Sequence, residues 1–511
     1  MPPAKVWLVG AGPGDPGLIT VRGLEVLRNA EVVLTDALAH PALLEACPQA
    51  EVRYVGKRFG EDSAVQEAIT REMIAIAHSG RSVVRLKGGD PLLFARGGEE
   101  SLALAEAGVP FEIVPGISSP VAASTYAGIP LTHRDVSKSV TFITGSDRAG
   151  KEWSPEAWRK LATATDTICV LMGMRRLEEI VRAILDGGRS PQTPAAVIQW
   201  GTRPEQRVVT CELGTLPERA RSAGLKNPAI IVVGEVVALR ERLAWYDTKT
   251  LFQKRLFLPR PHAQAAQSAR AIRERGAEPL VLPMIEIHPP KEPERVERAV
   301  AELASYAWVL FTSANGVRCF FETLRAAGRD ARAFANAKIG VIGPKTAVAL
   351  EPYGLRPDVV AKEFVGEALA RALCEAAPPG RVLLARASVA RDALPNALTS
   401  AGFEVDVVPV YETRPASQEQ REQLREGLAN GSIDVALFTS SSTVTETIAA
   451  LGSDAAAQLA RVTVASIGPV TTRTLVEAGV RVDVTASEYT VEGLLDALER
   501  HFAQASSNVS G

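Results

Sequence analysis

The chain opens on VWLVGAGPGDPGLIT, Val6–Thr20, an apolar run that breaks into four glycines and two prolines. VWLVG reads as a buried strand, RGLEVLRNA (Arg22–Ala30) as a short helix, and EVVLTD as a second strand ending at Asp36. That is the order of a nucleotide-binding βαβ unit. A pyrophosphate loop, however, offers free backbone N–H groups at the helix start, and here Asp15 stands between Pro13 and Pro16. Proline has no N–H to donate and a carboxylate repels phosphate, so the loop suits an uncharged or cationic ligand that the backbone approaches closely. Spacing alone still leaves a phosphate loop as the lesser alternative.

Working outward, apolar β-branched runs alternate with Ala/Leu/Glu/Arg stretches along all 511 residues, which predicts an α/β architecture of several domains with largely parallel sheets. With 57 Lys+Arg against 59 Asp+Glu there is no global field to draw the chain to nucleic acid or an acidic membrane. Cys47, Cys169, Cys211, Cys319 and Cys374 form no CxxC pair and have no histidine at metal-ligand spacing, so no metal is expected and the thiols read as reduced core residues. The start lacks the layout of a secretion signal, and the apolar run AIIVVGEVVAL is interrupted by Glu235. The expectation is a soluble cytoplasmic protein.

The best domain boundary is the polar stretch Asp247–Thr250, before a strand near Leu256. Beyond it the chain repeats itself about 126 residues apart. WVLFTSANGV at Trp308 matches VALFTSSSTV at Val435, KIGVIGPKTAVALEPYGL at Lys338 matches TVASIGPVTTRTLVEAGV at Thr463, and the stretch around Arg260 matches that around Arg386. So long a period is a duplicated domain rather than a solenoid unit. Each matched element is an apolar strand, then small hydroxyl or glycine residues, then a helix. Repeated twice over, the pattern favours an anion-binding cleft between two lobes, against the alternative that these residues are ordinary helix caps.

Residues 1–245 carry six further blocks in order: VGKRFG at Val55, VVRLKGGDPLLFARGGEE at Val83, VPGISSPVAASTYAGIPLTHR at Val114, VLMGMRRL at Val170, VIQWGTRPEQR at Val197 and NPAIIVVGEVVALR at Asn227. Together they closely resemble the uroporphyrinogen-III C-methyltransferases of the tetrapyrrole methylase family. The resemblance implies that the opening loop binds S-adenosyl-L-methionine, whose sulfonium is cationic and which carries no phosphate. It implies a donor site lined by Pro13, Gly88, Gly89, Asp90 and Leu93 from the first part, and by Ser118, Ser119, Met172 and Gly201 from the second. It implies Asp36 as proton acceptor and Lys57 as proton donor, with pairing to substrate acetate or propionate as the plainer role for Lys57. Arg58, Arg85, Lys87 and Arg96 are expected to include partners of the substrate's eight carboxylates, some of them being surface charges instead. The sequence departs from the family where histidine is usual near Asp62, glycine at Ala95, tyrosine at Leu171, threonine at Ser118 and histidine after Thr144-Gly145. These departures bear on substrate orientation and on whether one or two methyls are added.

The duplicated half, about 252–511, resembles uroporphyrinogen-III synthase. The carrying stretches include FTSANGVRCFFE at Phe311, VIGPKTAVAL at Val341, LLARASVARDALPNAL at Leu383, VVPVYETRP at Val407, FTSSSTV at Phe438, SIGPVTTRTL at Ser466 and EYTVEGLLDAL at Glu488. The resemblance implies cofactor-free closure of hydroxymethylbilane with inversion of the last pyrrole. It implies a fold of two lobes, about 252–288 plus 415–511 and about 289–414. A cleft lined by Thr312, Ser313, Thr346, Thr439, Ser440, Ser441 and Thr471, with Arg386 as a carboxylate partner, would position the substrate. Tyr411 is singled out as an acid that helps hydroxide leave, against the plainer role of a strand-end tyrosine. The expectation is thus a bifunctional enzyme, residues 1–246 and 252–511, that makes precorrin-2 for the siroheme and cobalamin branch. It is compatible with a homodimer through the methylase half. Two alternatives are a methylase acting on a later precorrin and a second half that is a two-lobed sensor without catalysis.

Overall fold

In this computed structural model the residues described are 4–55, 63–145, 154–363, 366–390 and 392–509. Lys57, Arg58 and Asp62 therefore lie outside the described residues. Four sheets carry the chain.

The first sheet contains β1 (Val6–Gly10), β2 (Val32–Thr35), β3 (Glu51–Tyr54), β4 (Val83–Lys87) and β5 (Phe111–Val114), in the order β3-β2-β4-β1-β5. All four neighbouring pairs are parallel. Central strands of such a sheet are covered on both faces, which is why VWLVG, VVLT and VVRLK are nearly continuous buried runs. Val9, Val33, Val84 and Leu86 join one core, and Val6, Leu8, Val32, Leu34 and Val83 join another with Met73 and Leu104. Burying each such side chain contributes on the order of 1.5–3 kcal/mol. Because the strands are parallel, the loops after β1, β2, β4 and β5 all emerge at one edge, where ligands of open α/β sheets bind.

The second sheet is mixed. β6 (Val140–Thr144) and β7 (Thr167–Leu171) are parallel, while β8 (Pro194–Gln199), β9 (Arg207–Glu212) and β10 (Ala229–Val233) pair antiparallel in the order β6-β7-β10-β8-β9. The helix Leu177–Asp186 covers it through Leu177, Ile180, Val181 and Ile184, the spacing of one helical face. The polar stretch Asp247–Thr250 is folded. Asp247 is ion-paired with Arg240 at 2.5 Å. Lys249 donates to the Glu274 carbonyl and lies 4.9 Å over the Trp245 ring.

The remaining strands are β11 (Arg255–Leu258), β12 (Glu278–Val281), β13 (Ile285–His288), β14 (Trp308–Phe311), β15 (Lys338–Val341), β16 (Val359–Val360), β17 (Arg381–Ala387), β18 (Glu404–Pro415), β19 (Val435–Phe438), β20 (Thr463–Ser466) and β21 (Val484–Thr485). They form two sheets, β12-β11-β19-β20-β21 and β13-β18-β17-β14-β15-β16. Each sheet takes the first two strands of one repeat and the last three of the other, and the second of the two adds β13 as its sixth strand. The repeat extends to single hydrogen bonds, since Ile339 N donates to Asp358 Oδ2 at 2.8 Å and Val464 N donates to Asp483 Oδ2 at 2.9 Å. Ile285–His288, grouped with the C-terminal lobe by sequence, instead pairs antiparallel with β18. By contact the chain divides into Met1–Leu256 with Ala269–Pro279 and Leu495–Gly511, and Phe257–Ser268 with Leu280–Leu494. Among the described residues no helix is long and apolar enough to cross a membrane.

Candidate active sites

At the open edge of the first sheet, three loops meet on glycine. Gly12 and Gly89 exchange backbone hydrogen bonds, Gly89 N to Gly12 O at 2.7 Å and Gly12 N to Gly89 O at 3.3 Å. A Cβ on Gly116 would lie 2.3 Å from Gly89 O and 2.7 Å from Gly10 Cα, so the loops after β1, β4 and β5 touch only because none carries a side chain there. Gly89 has φ +71°, and a Cβ on it would point at Ser119 N, 3.8 Å away, where the helix Ser119–Tyr126 begins. Gly201 packs against that helix so closely that a Cβ would lie 2.2 Å from Ala123 Cβ. Gly88 faces Leu38 at 2.7 Å in the same sense, which links this crossing to the loop that follows Asp36.

Of the expected donor-site residues, Gly88, Gly89, Ser119 and Gly201 meet at or beside this crossing, and Asp90 has a second role. Asp90 already accepts from Leu92 N at 2.8 Å through Oδ1 and from Gly116 N at 3.1 Å through Oδ2, so it ties the loops together as well as facing them. Met172 is 45% exposed at φ +55°. Phe94, Arg96, Trp200 and Thr202 also have positive φ, so five of the seven non-glycine residues with this strain among the described residues lie in the loops that follow β4, β7 and β8. Asp15 caps its turn by accepting from Gly17 N at 2.8 Å, accepts from Tyr126 Oη at 2.8 Å, and donates its N–H to Thr202 Oγ1 at 3.0 Å. In Gly12–Pro16, Gly12 N and Asp15 N are thus already bonded, and Pro13 and Pro16 carry no N–H. Gly10, Gly116, Tyr126 and Thr202 were not singled out from sequence; GISSP after an apolar strand is the signal that could have drawn attention to Gly116.

Asp36 ends β2. Its Oδ1 accepts from Leu38 N at 3.0 Å and Ala39 N at 3.3 Å, and its Oδ2 lies 3.7 Å from Arg85 Nη2. Arg85 and Lys87, expected as partners of substrate carboxylates, are each only 3% exposed. Both are ion-paired with fully buried Glu100, Lys87 Nζ at 2.9 Å and Arg85 Nε at 3.4 Å. Burial pushes the Lys87 ammonium down, the Arg85 charge adds to that, and Glu100 opposes it. Arg96 immediately precedes the helix Gly97–Glu106 without a side-chain cap and pairs with Glu99 at the surface. Leu171 is buried at the end of β7.

In the duplicated half the repeated strand ends become helix starts. Ser313 caps Ala314–Ala326 and accepts from Gly316 N at 3.0 Å; Ser440 caps Ser441–Leu451 and accepts from Thr443 N at 3.4 Å. Gly343 and Gly468 hold the matching positions before Pro344–Val348 and Pro469–Glu477. Thr346, Thr439 and Thr471 are buried at these turns. Thr312 follows β14 directly, and Ser441 Oγ accepts from Thr474 Oγ1 at 2.9 Å. Arg386 is ion-paired with Asp392 at 2.7 Å. Tyr411, on β18, is 7% exposed, and its Oη lies 3.0 Å from Ser313 Oγ. It does not end its strand at the surface, as the plainer sequence alternative had it. Burial pushes its phenol above the ordinary value, the Ser313 hydrogen bond partly opposing, so it stays a proton donor through neutral and mildly alkaline pH. Tyr411→Phe is expected to slow ring closure by about 10²-fold or less and to leave the type-III isomer as product. Initial rates with isomer analysis of the oxidised porphyrins check this, and an unchanged rate would leave Tyr411 a packing residue.

A glycine crossing beside a part-exposed carboxylate in one half, and a duplicated, hydroxyl-lined pair of lobes in the other, define an α/β enzyme with two centres. The family model for Tetrapyrrole (Corrin/Porphyrin) Methylases matches residues 5–217, and that for Uroporphyrinogen-III synthase HemD matches residues 266–496. The "Porphyrin biosynthesis protein HemD" of Ruminiclostridium josui is 38% identical over 495 residues, 96% of this chain and 97% of that protein. The "Uroporphyrinogen-III C-methyltransferase" of Bacillus subtilis (strain 168) is 44% identical over 246 residues, 48% of this chain and 95% of that protein. Among solved structures, the uroporphyrin-III-C-methyltransferase of Thermus thermophilus matches 48% of this chain and 98% of its own at 42% identity, with a TM-score of 0.39. The chain belongs to the tetrapyrrole methylases in its first half and to the uroporphyrinogen-III synthases in its second, joined as in the Ruminiclostridium josui protein.

Proposed function

We propose that the second half closes hydroxymethylbilane to uroporphyrinogen III and that the first half methylates this product at two carbons, giving precorrin-2 for the siroheme and cobalamin branch. The observation that carries the reading is the likeness to a single porphyrin-biosynthesis protein along 96% of the chain, both halves included.

The methyl donor is S-adenosyl-L-methionine, and the loops fit it. Three glycines let backbone approach closely, Gly89 faces the start of Ser119–Tyr126, Met172 is exposed after β7, and Gly12 N and Asp15 N are already bonded to Gly89 O and Thr202 Oγ1. Pro13, Gly88, Gly89, Asp90, Leu93, Ser118, Ser119, Met172 and Gly201 would hold it. When bound, it supplies an electrophilic methyl group on a sulfonium. The chain's own part is to hold the tetrapyrrole carbon in line with that methyl, from which much of the rate can come, and to take up the proton released. Asp36 Oδ2 is the acceptor in this reading, with Lys57 and Arg58 at the substrate. In the second half the protein folds the linear tetrapyrrole between hydroxyl-lined turns while Tyr411 protonates the departing hydroxide. A cytoplasmic setting and pairing of methylase halves belong to the same proposal. Conversion of hydroxymethylbilane and S-adenosyl-L-methionine to a doubly methylated product tests both halves together.

A further inference from the structure

The charges behind Asp36 form a closed set. Glu100, fully buried on the helix Gly97–Glu106, accepts from Gln66 Nε2 at 2.7 Å, Lys87 Nζ at 2.9 Å and Arg85 Nε at 3.4 Å. Arg85 Nη1 is further anchored on the Leu34 and Leu86 carbonyls at 3.4 and 3.3 Å. Arg85 and Lys87 stand two apart on β4 and so project to the same face, toward this helix. With Asp36 the set holds two cations and two carboxylates, and Asp36, its side chain 23% exposed, is the member that opens to solvent. The two oxygens of Asp36 differ. Oδ1 is occupied by Leu38 N and Ala39 N, whereas Oδ2 accepts no hydrogen bond among the described residues and meets Arg85 only at 3.7 Å. At that distance a guanidinium stabilises the carboxylate without taking the lone pair that must receive a proton.

We propose that Glu100 is a positioning residue for methyl transfer, holding the Arg85 guanidinium back from Asp36 so that Oδ2 stays free to receive a proton. The proposal rests on Asp36 being the proton acceptor. Glu100 does not touch substrate; it acts through Arg85. The groups that face Asp36 in this set come from β4 (Arg85, Lys87), from the helix Gly97–Glu106 (Glu100) and, through Glu100, from Gln66 on Ser63–His78. Lys57 and Arg58 lie outside the described residues.

Glu100→Gln keeps the shape and removes the charge that restrains Arg85, which then closes on Asp36 as a direct ion pair. In the full chain, kcat for methylation of uroporphyrinogen III is expected to fall by about tenfold to a hundredfold. S-adenosyl-L-methionine affinity should stay within about twofold, because no donor-site loop is touched. The acid limb of the kcat profile should move to lower pH by roughly one unit or more, as for a carboxylate newly paired with arginine. Removing the released cation as well, in Glu100→Gln/Arg85→Met, should bring back most of the rate and return the limb. Glu100→Asp keeps the restraint and draws it one methylene away, so its limb should not fall below that of the unaltered protein; this variant carries the test if Glu100→Gln does not fold. A rate loss in Glu100→Gln with an unmoved limb and no rescue in the double variant would overturn the proposal in favour of a packing role. So would equal downward shifts for Gln and Asp. Asp36→Asn separates the two readings. If it leaves kcat intact the acceptor assignment itself fails, and if it abolishes kcat while Glu100→Gln changes nothing, only the Glu100 proposal fails.

Discussion

Asp36→Asn should lower methylation of uroporphyrinogen III by about 10²- to 10⁴-fold while S-adenosyl-L-methionine still binds. Asparagine keeps the Oδ1 contacts to Leu38 N and Ala39 N, so the turn that follows β2 survives. What it removes is the anionic Oδ2 that faces Arg85 and the open edge of the sheet. A loss confined to kcat identifies an interaction made in the transition state, whereas parallel loss of donor affinity would make Asp36 a ligand-holding residue, as a dinucleotide site would have it. Equilibrium binding of the donor beside single-turnover methylation distinguishes the two.

The second large effect is expected at Gly116→Ala. The new methyl group would meet Gly89 O at 2.3 Å and Gly10 Cα at 2.7 Å, both backbone atoms that cannot swing aside. The three loops must part, and the Asp90 contact to Gly116 N at 3.1 Å goes with them. Overpacking of this kind costs about 1–3 kcal/mol. If the strain falls on the loop crossing, donor affinity should drop by about tenfold or more and the melting temperature of the methylase half should fall, while ring closure by the other half continues. Calorimetric titration with S-adenosyl-L-methionine checks this. An unchanged dissociation constant would place the donor away from the crossing.

How far these features can be read in the sequence differs residue by residue. The glycine crossing is legible because GAGPGDPG and KGGDP each follow a strand, and only glycine lets strand-end loops touch. The duplication is legible down to Asp358 and Asp483, since strand, turn and helix return in the same order. The exchange of strands between lobes is implied by the resemblance to uroporphyrinogen-III synthase rather than by the repeat, and the place of Ile285–His288 is legible from neither. An alternating IEIH suits either sheet, and only the antiparallel partner β18 decides. The buried pairing of Arg85 and Lys87 is hidden for a related reason. A cation on a strand that leads into a glycine loop looks like a ligand for anions, and its true partner is one of two adjacent glutamates thirteen or fifteen residues on. Glu99 and Glu100 are indistinguishable in composition. Helical phase alone leaves the Glu99 side chain 61% exposed and that of Glu100 at 0%.

The central claim is that one chain runs two consecutive reactions, and the direct measurement is a coupled assay with the intact protein given hydroxymethylbilane and S-adenosyl-L-methionine. The account predicts a tetrapyrrole of the type-III series that carries two added methyl groups and is heavier than uroporphyrinogen III by two CH2 units, with uroporphyrinogen III accumulating when the donor is withheld. Type-I uroporphyrinogen alone, equal to the spontaneous product, would show that the second half does not catalyse ring closure. Type-III product that stays unmethylated in the presence of donor would contradict the assignment of the first half.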